Sequence, residues 1–174
     1  MFNGYSLLAL IPARSGSKGL LEKNIMNCAG RPLIEWAISA AKDVSFFDDV
    51  IVSTDSSKIA KIAKIAGASV PFIRPEEFAS DDASLISVVK HAWESHLTSD
   101  GNNFDYIVLL QPTSPLRDVF HIKEAIELYF NSCKSENDTL ASVYKVDKKN
   151  GWLLQSHNND QYINFCFNVD LSNP

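Results

Sequence analysis

The chain has 174 residues, 45% of them hydrophobic, and a formal net charge of -5 at pH 7. That length and apolar content suit one buried core, and the acidic balance excludes nonspecific nucleic-acid binding, because no basic surplus exists to neutralise a phosphate backbone. Cys28, Cys133 and Cys166 are too widely spaced for a metal-ligand or disulfide framework, and no apolar run approaches the roughly 18–20 residues of a membrane span, so a reduced, cytoplasmic chain is expected.

Leu7 to Ile11 is an uninterrupted apolar run with the look of a strand buried on both faces of a parallel sheet, and Pro12 ends it. The loop that follows, Ala13 to Asn24, sets Arg14, Lys18 and Lys23 among Ser15, Gly16, Ser17 and Gly19. Cations spaced by such small residues let backbone N–H groups approach an anion closely, and a polyphosphate suits them. An ordinary strand-to-helix loop with solvated charges is the alternative. Two familiar phosphate motifs are excluded. A Walker A loop fails because Leu21 stands where its second glycine belongs after Gly16, and Lys18 precedes Gly19 instead of following it. The dinucleotide fingerprint fails because Gly16 and Gly19 stand three apart with no glycine two residues from either.

Asn27 to Arg31 reads as a turn, and Pro32 suits the first position of a helix whose apolar face is Leu33, Ile34, Ala37, Ile38 and Ala41. A second strand, Val50 to Ser53, runs into Thr54-Asp55-Ser56, cap chemistry for a helix through Ile59, Ile62, Ala63 and Ala66 that Gly67 closes. Val70 to Ile73 is expected to be a third short strand. It leads into Arg74-Pro75-Glu76-Glu77-Phe78-Ala79-Ser80-Asp81-Asp82, read as a turn and a helix N-terminus capped by Asp81 or Asp82. The next helix carries Leu85, Ile86, Val89, Ala92 and Trp93 on its inner side, and Asp100 to Asn103 ends the connection behind it. Tyr106 to Leu110 is another apolar strand, delivering Gln111-Pro112-Thr113-Ser114-Pro115-Leu116-Arg117 to the carboxyl edge of the sheet, where open α/β sheets build ligand sites. A helix over Ile122 to Phe130 and a strand over Thr139 to Tyr144 complete an alternation that predicts an α/β fold, a mostly parallel sheet with helices on both faces. From Lys145 the pattern degrades, with Trp152 to Leu154 and Tyr162 to Phe167 able to pair as strands. The apolar Phe165-Cys166-Phe167 is expected to pack on something, a second subunit being one candidate.

Three of these segments carry a resemblance: the Ala13 to Asn24 loop, Arg74-Pro75 through Ala79-x-Asp81, and Leu110 to Arg117. In sequence, order and separation they resemble the cytidylyltransferases that activate sialic acids, the CMP-N-acetylneuraminate synthetase family. The resemblance implies a Rossmann-like nucleotidyltransferase fold, with residues 1–145 as the nucleotide-binding cytidylyltransferase domain and 146–174 as part of a dimerisation extension. It implies the reaction of CTP with a nonulosonic acid to give a CMP-sugar and pyrophosphate, a Mg²⁺ or Mn²⁺ cofactor, and a homodimer. By the match, Arg14, Ser17 and Lys18 hold the triphosphate together with Gly19, Lys23 stands near the α-phosphate, and Asn24 turns toward the nucleoside. Arg14 and Lys23 are the implied catalytic cations, Arg74 and Ala83 line the base pocket, and Gln111, Thr113 and Ser114 face the sugar acid. Arg117 is expected to brace its loop more than to touch substrate.

The family pattern continues through a further strand and an Asp-x-Asp-type metal motif, so the chain is expected to lack the C-terminal part. Asp170 is a lone carboxylate, and the metal ligands stay unassigned. Lys145, Lys148 and Lys149 read as solvated turn charges. Two other classes stand beside this reading: a sugar-1-phosphate nucleotidyltransferase on the same fold, and a catalytically silent nucleotide-binding fragment.

Overall fold

Five consecutive buried apolar residues require that both faces of the strand they form be covered. Leu7, Leu8, Ala9, Leu10 and Ile11 are all 0–1% exposed in strand β1 (Leu7–Pro12) of the computed structural model. The structure describes residues 1–16, 19–98, 101–132 and 139–142, and the chain divides into two compact units, Met1–Ile122 and Lys123–Pro174. The first unit also holds a two-residue hairpin, β2 (Asn27–Cys28) and β3 (Arg31–Pro32), then helix α1 (Leu33–Lys42), strand β4 (Asp49–Ser53), helix α2 (Ser57–Ile65), helix α3 (Leu85–Ser95) and strand β5 (Tyr106–Leu109). Helix α4 (Val119–Ser132) starts in the first unit and ends in the second.

Strand β1 lies at the centre of a parallel sheet in the order β4-β1-β5, with Leu8 opposite Asp49 and Pro12 opposite Ser53 on one side and Leu7 opposite Tyr106 on the other. One face of this sheet presents Leu8, Leu10 and Ile51 to Ala92 of α3 and to Phe104, with Phe72, Val89, Ile107 and Leu109 packed around them. Strand alternation puts Leu7, Ala9 and Ile11 on the opposite face, and they are equally buried. Helix α1 packs against β1 and β4, burying Ile34, Ala37, Ile38 and Ala41. Burying each large core side chain contributes roughly 1.5–3 kcal/mol.

Topology, more than packing, positions a site. From β1 the chain crosses to β4 on one side and later to β5 on the other, so the strand order reverses at β1. The connections leaving the carboxyl ends diverge there and open a crevice.

Local chemistry explains most element boundaries. Ala29 and Gly30 both have positive φ, 52° and 95°, as a tight two-residue hairpin turn with the twist of its strands requires, and the Asn27 Oδ1 accepts from the Gly30 N–H at 2.9 Å. Ser56 caps α2, its side chain accepting from the Ile59 N–H, and Gly67 at φ 91° ends the connection behind it. The expectation that Asp81 or Asp82 caps α3 is corrected: Ser84 does so, accepting from the Ser87 N–H at 3.0 Å, and Asp81 is engaged elsewhere. The expected strand Val70 to Ile73 does not form. Ser69 bridges Ile51, and the chain next meets β4's end where the Arg74 N–H donates to the Thr54 carbonyl at 2.8 Å. Between those points Pro71 has no N–H to give a ladder. Thr139 to Tyr144 falls only partly within the described residues, and the pairing of Trp152 to Leu154 with Tyr162 to Phe167, like the whole 146–174 extension, lies outside them.

Candidate active site at the carboxyl edge of the sheet

Two alternate N–H groups pin the loop leaving β1. That of Ala13 donates to the Ser53 carbonyl at 2.9 Å, and that of Ser15 donates to Asp55 Oδ1 at 2.8 Å. The Ser15 hydroxyl adds a 2.5 Å bond to Asp55 Oδ2. Arg14 lies between these anchored residues. Its guanidinium meets Asp81 at 2.6 Å and donates to the carbonyls of Ser80 at 3.0 Å and Ala79 at 3.4 Å. The far end of the loop is tied back by Asn24, a buried residue whose Nδ2 donates to the Arg14 carbonyl at 3.0 Å.

Glu22 turns the chain into a short 3-10 helix over Lys23–Ile25 by adopting φ 52°, and its carboxylate receives the Lys58 ammonium at 2.9 Å. A left-handed non-glycine residue is uncommon and is held here by that pair and by the helix after it. Lys23 is half-buried, and its ammonium has no side-chain partner among the described residues. Gly19 is exposed, with space around its Cα. Ser17 and Lys18 lie outside the described residues.

The second segment follows the end of β4. Arg74 is 4% exposed; its Nη2 donates to the Ser53 carbonyl at 3.2 Å and its Nη1 to the Phe78 carbonyl at 3.4 Å, while Nε is buried without a partner among the described residues. Burial pulls its pKa below the usual arginine value, Asp55 pulls it back up, and the charge of Arg14 lowers it again. The guanidinium stays protonated throughout. Two arginines thus share one electrostatic environment with Asp55. His91 sits behind Arg74, its ring edge-on to Phe72 at 4.8 Å and tilted against Phe78 at 4.9 Å. Burial, and then the charge of Arg74, lowers its pKa. Ala83 is half-buried at the entrance to α3, its N–H donating to the Ser80 carbonyl at 3.4 Å.

The third segment follows β5. Gln111, Thr113 and Ser114 are exposed, and their side chains make no hydrogen bond among the described residues. Arg117 donates from Nη2 to the Gln111 carbonyl at 2.8 Å, the bracing role expected for it, and burial lowers its pKa. The three expected segments therefore meet at the carboxyl edge, with Arg14 linking the first to the second.

Sequence reading missed the residues that hold this arrangement. Asp55 and Asp81 read as helix caps, and His91 read as nothing in particular. Asp81 belonged to the Ala79-x-Asp81 pattern, whereas the only signal for Asp55 was position, two residues past the end of a strand whose carboxyl end lies beside that of β1. Among the described residues no group of three or more His, Cys, Asp or Glu side chains comes together. Asp55 and Asp81 are engaged by Ser15 and Arg14.

The sequence of residues 8–162 matches the family model for cytidylyltransferases. The chain is 45% identical over 123 residues to the N-acylneuraminate cytidylyltransferase of Escherichia coli O18:K1:H7, covering 71% of this chain and 28% of that protein. It is 40% identical over 146 residues to the CMP-N,N'-diacetyllegionaminic acid synthase of Legionella pneumophila, covering 84% and 61%. It is 37% identical over 125 residues to a pseudaminic acid cytidylyltransferase of Campylobacter jejuni, covering 72% and 53%. The chain thus spans between 28% and 61% of the length of these relatives. Among solved structures, a cytidylyltransferase from Leptospira borgpetersenii superposes with a TM-score of 0.59 at 26% identity, over 74% of this chain and 50% of that one. CMP:2-keto-3-deoxy-manno-octonic acid synthetase complexed with CTP shares the fold, with a TM-score of 0.61 at 20% identity over 73% and 48%. A basic, small-residue loop at the switch point of a parallel sheet, matched in sequence over most of its length, makes this chain a member of the cytidylyltransferase family.

Proposed function

We propose that the protein activates a sialic acid or related nonulosonic acid, joining it to the CMP moiety of CTP with release of pyrophosphate. The observation that carries this is the convergence of Arg14, the Asp55-anchored loop and the exposed Gln111, Thr113 and Ser114 at one switch point. The relatives named above, all cytidylyltransferases or CMP-sugar synthases, supply the substrate class.

In this reading the anomeric hydroxyl attacks the α-phosphorus and pyrophosphate leaves, so charge develops on the bridging and non-bridging oxygens. Cations held in place before the substrate arrives stabilise that charge without reorganising. Arg14, Ser17, Lys18 and Gly19 would cradle the triphosphate, and Lys23 would meet the α-phosphate. Asn24, with one amide donor engaged by the Arg14 carbonyl, would keep its oxygen for the nucleoside side. Arg74 and Ala83 would wall the base pocket, and Gln111, Thr113 and Ser114 would receive the sugar acid. Mg²⁺ or Mn²⁺ would be held mainly by phosphate oxygens and water, a mode Mg²⁺ favours; it would supply charge neutralisation. A homodimer formed through residues 146–174 and a cytoplasmic location complete the proposal.

The test is pyrophosphate release from CTP, UTP, ATP and GTP in turn, with N-acetylneuraminate, a legionaminic acid or a hexose-1-phosphate as acceptor. Release with CTP and a nonulosonic acid alone is the expected outcome. Turnover that requires the sugar phosphate would overturn the assignment.

A further inference from the structure

Asp55 stands at the junction of everything described above, yet it would touch neither nucleotide nor sugar. Both of its carboxylate oxygens are engaged by one residue, Ser15, through the N–H at 2.8 Å and the hydroxyl at 2.5 Å. It lies two residues past the end of β4, whose Ser53 carbonyl accepts from both the Ala13 N–H and the Arg74 guanidinium; the Thr54 carbonyl in between accepts from the Arg74 N–H. No helix needs it, because Ser56 caps α2.

We infer that Asp55 is a positioning residue for the phosphate loop: by holding Ser15 from two sides it fixes the chain direction at Arg14 and so aims that guanidinium. The physical argument is that the backbone is held on both sides of Arg14. The N–H groups of residues 13 and 15 are captured by the Ser53 carbonyl and by Asp55, while the Arg14 guanidinium reaches Ser80 and Asp81. Release of Ser15 removes one of the two clamps. Arg14 would then sample many directions, and the triphosphate would have to order it on binding, an entropic cost that a held side chain avoids. The inference rests on the reading of this loop as the triphosphate site.

The variants separate hydrogen bonding from charge. Asp55→Asn can keep both contacts, its amide oxygen accepting the Ser15 N–H and its NH₂ donating to the Ser15 hydroxyl, but it loses the negative charge beside Arg74. Asp55→Ala loses both. Calorimetric titration with CTP and separately with CMP, at a temperature well below each variant's melting point, distinguishes positioning from general stability. Asp55→Ala is expected to weaken CTP by on the order of tenfold or more and CMP by much less, with Asp55→Asn restoring most of the loss. Should Asp55→Ala not fold, Asp55→Glu, which displaces the carboxylate from Ser15 by one methylene, is expected to show the same selective loss.

Equal loss of CTP and CMP, or no loss of either, overturns the inference. So does an Asn variant as weak as Ala, since the charge and not the grip on Ser15 would then be at work. A wild-type chain that does not bind CTP takes the proposed function down as well, whereas tight wild-type binding with an unaffected Ala variant removes only the role of Asp55.

Discussion

Truncating Arg14 to alanine tests whether the loop after β1 serves a ligand or the fold. Its ion pair with Asp81 is short, 2.6 Å, but the two side chains are 29% and 45% exposed, and a pair so open to water is worth about 0.2–1 kcal/mol. The 3.0 Å bond to the Ser80 carbonyl adds about 1 kcal/mol, and the 3.4 Å approach to Ala79 less. The fold should therefore lose only about 1–2 kcal/mol, a drop in melting temperature of roughly 2–8 °C for a chain of this size. Losing a preorganised cation facing phosphate costs more: about 2–4 kcal/mol of transition-state stabilisation, or roughly 30- to 900-fold in kcat/KM for CTP. Thermal melts followed by circular dichroism and a coupled pyrophosphate assay read the two separately. A variant that melts slightly lower and turns over at the wild-type rate would refute the assignment. A collapse in melting temperature would instead make Arg14 a structural residue.

Arg74→Ala should behave differently, because it leaves the buried Ser53 carbonyl without its guanidinium donor and opens a cavity; a loss of about 2–4 kcal/mol in chemical denaturation is expected, together with weaker CTP binding and a narrower preference for CTP over UTP. Unchanged CTP affinity in a folded variant would remove Arg74 from the base pocket. His91 predicts a pH dependence: its pKa is lowered from 6.5 in the folded state by burial first and by Arg74 second, against opposing pulls from Glu94 and Glu77. The folded chain then binds fewer protons than the unfolded chain just below pH 6.5, so stability falls as pH drops from 6.5 toward the folded-state value and levels off below it. His91→Gln should flatten that part of the profile, and an unaltered slope would show that another group is responsible.

What the sequence determined by itself was whatever depends on neighbours along the chain. The run Leu7 to Ile11 read as a strand covered on both faces, and it is. The periodicity of Leu33 to Ala41 marked α1, and Gly67 marked the end of α2's connection. The cations and small residues of Ala13 to Asn24 marked the loop that is proposed to hold the triphosphate, because their spacing is itself a local property. Capping was legible only as a class: Ser56 took the cap within Thr54-Asp55-Ser56, and Ser84 won over Asp81 and Asp82, because the cap must sit two or three residues before the N–H it receives, and only the backbone path decides which oxygen reaches. The strand expected at Val70 to Ile73 failed for a related reason, since a strand needs a partner to donate to and Pro71 cannot donate.

Tertiary structure alone decided what Asp55, Asp81 and Arg74 do. Each is short-range neutral, compatible with a cap or a solvated turn. Asp55 meets Ser15 across 40 positions of chain and Arg14 meets the carbonyl of Ser80 across 66. Contacts at such separation exist only because β4 and β1 pair in parallel, which brings their carboxyl ends together with the chain reversal beside them. A sequence states which charges are available; only the sheet order says which of them share a crevice and which are already paired within it.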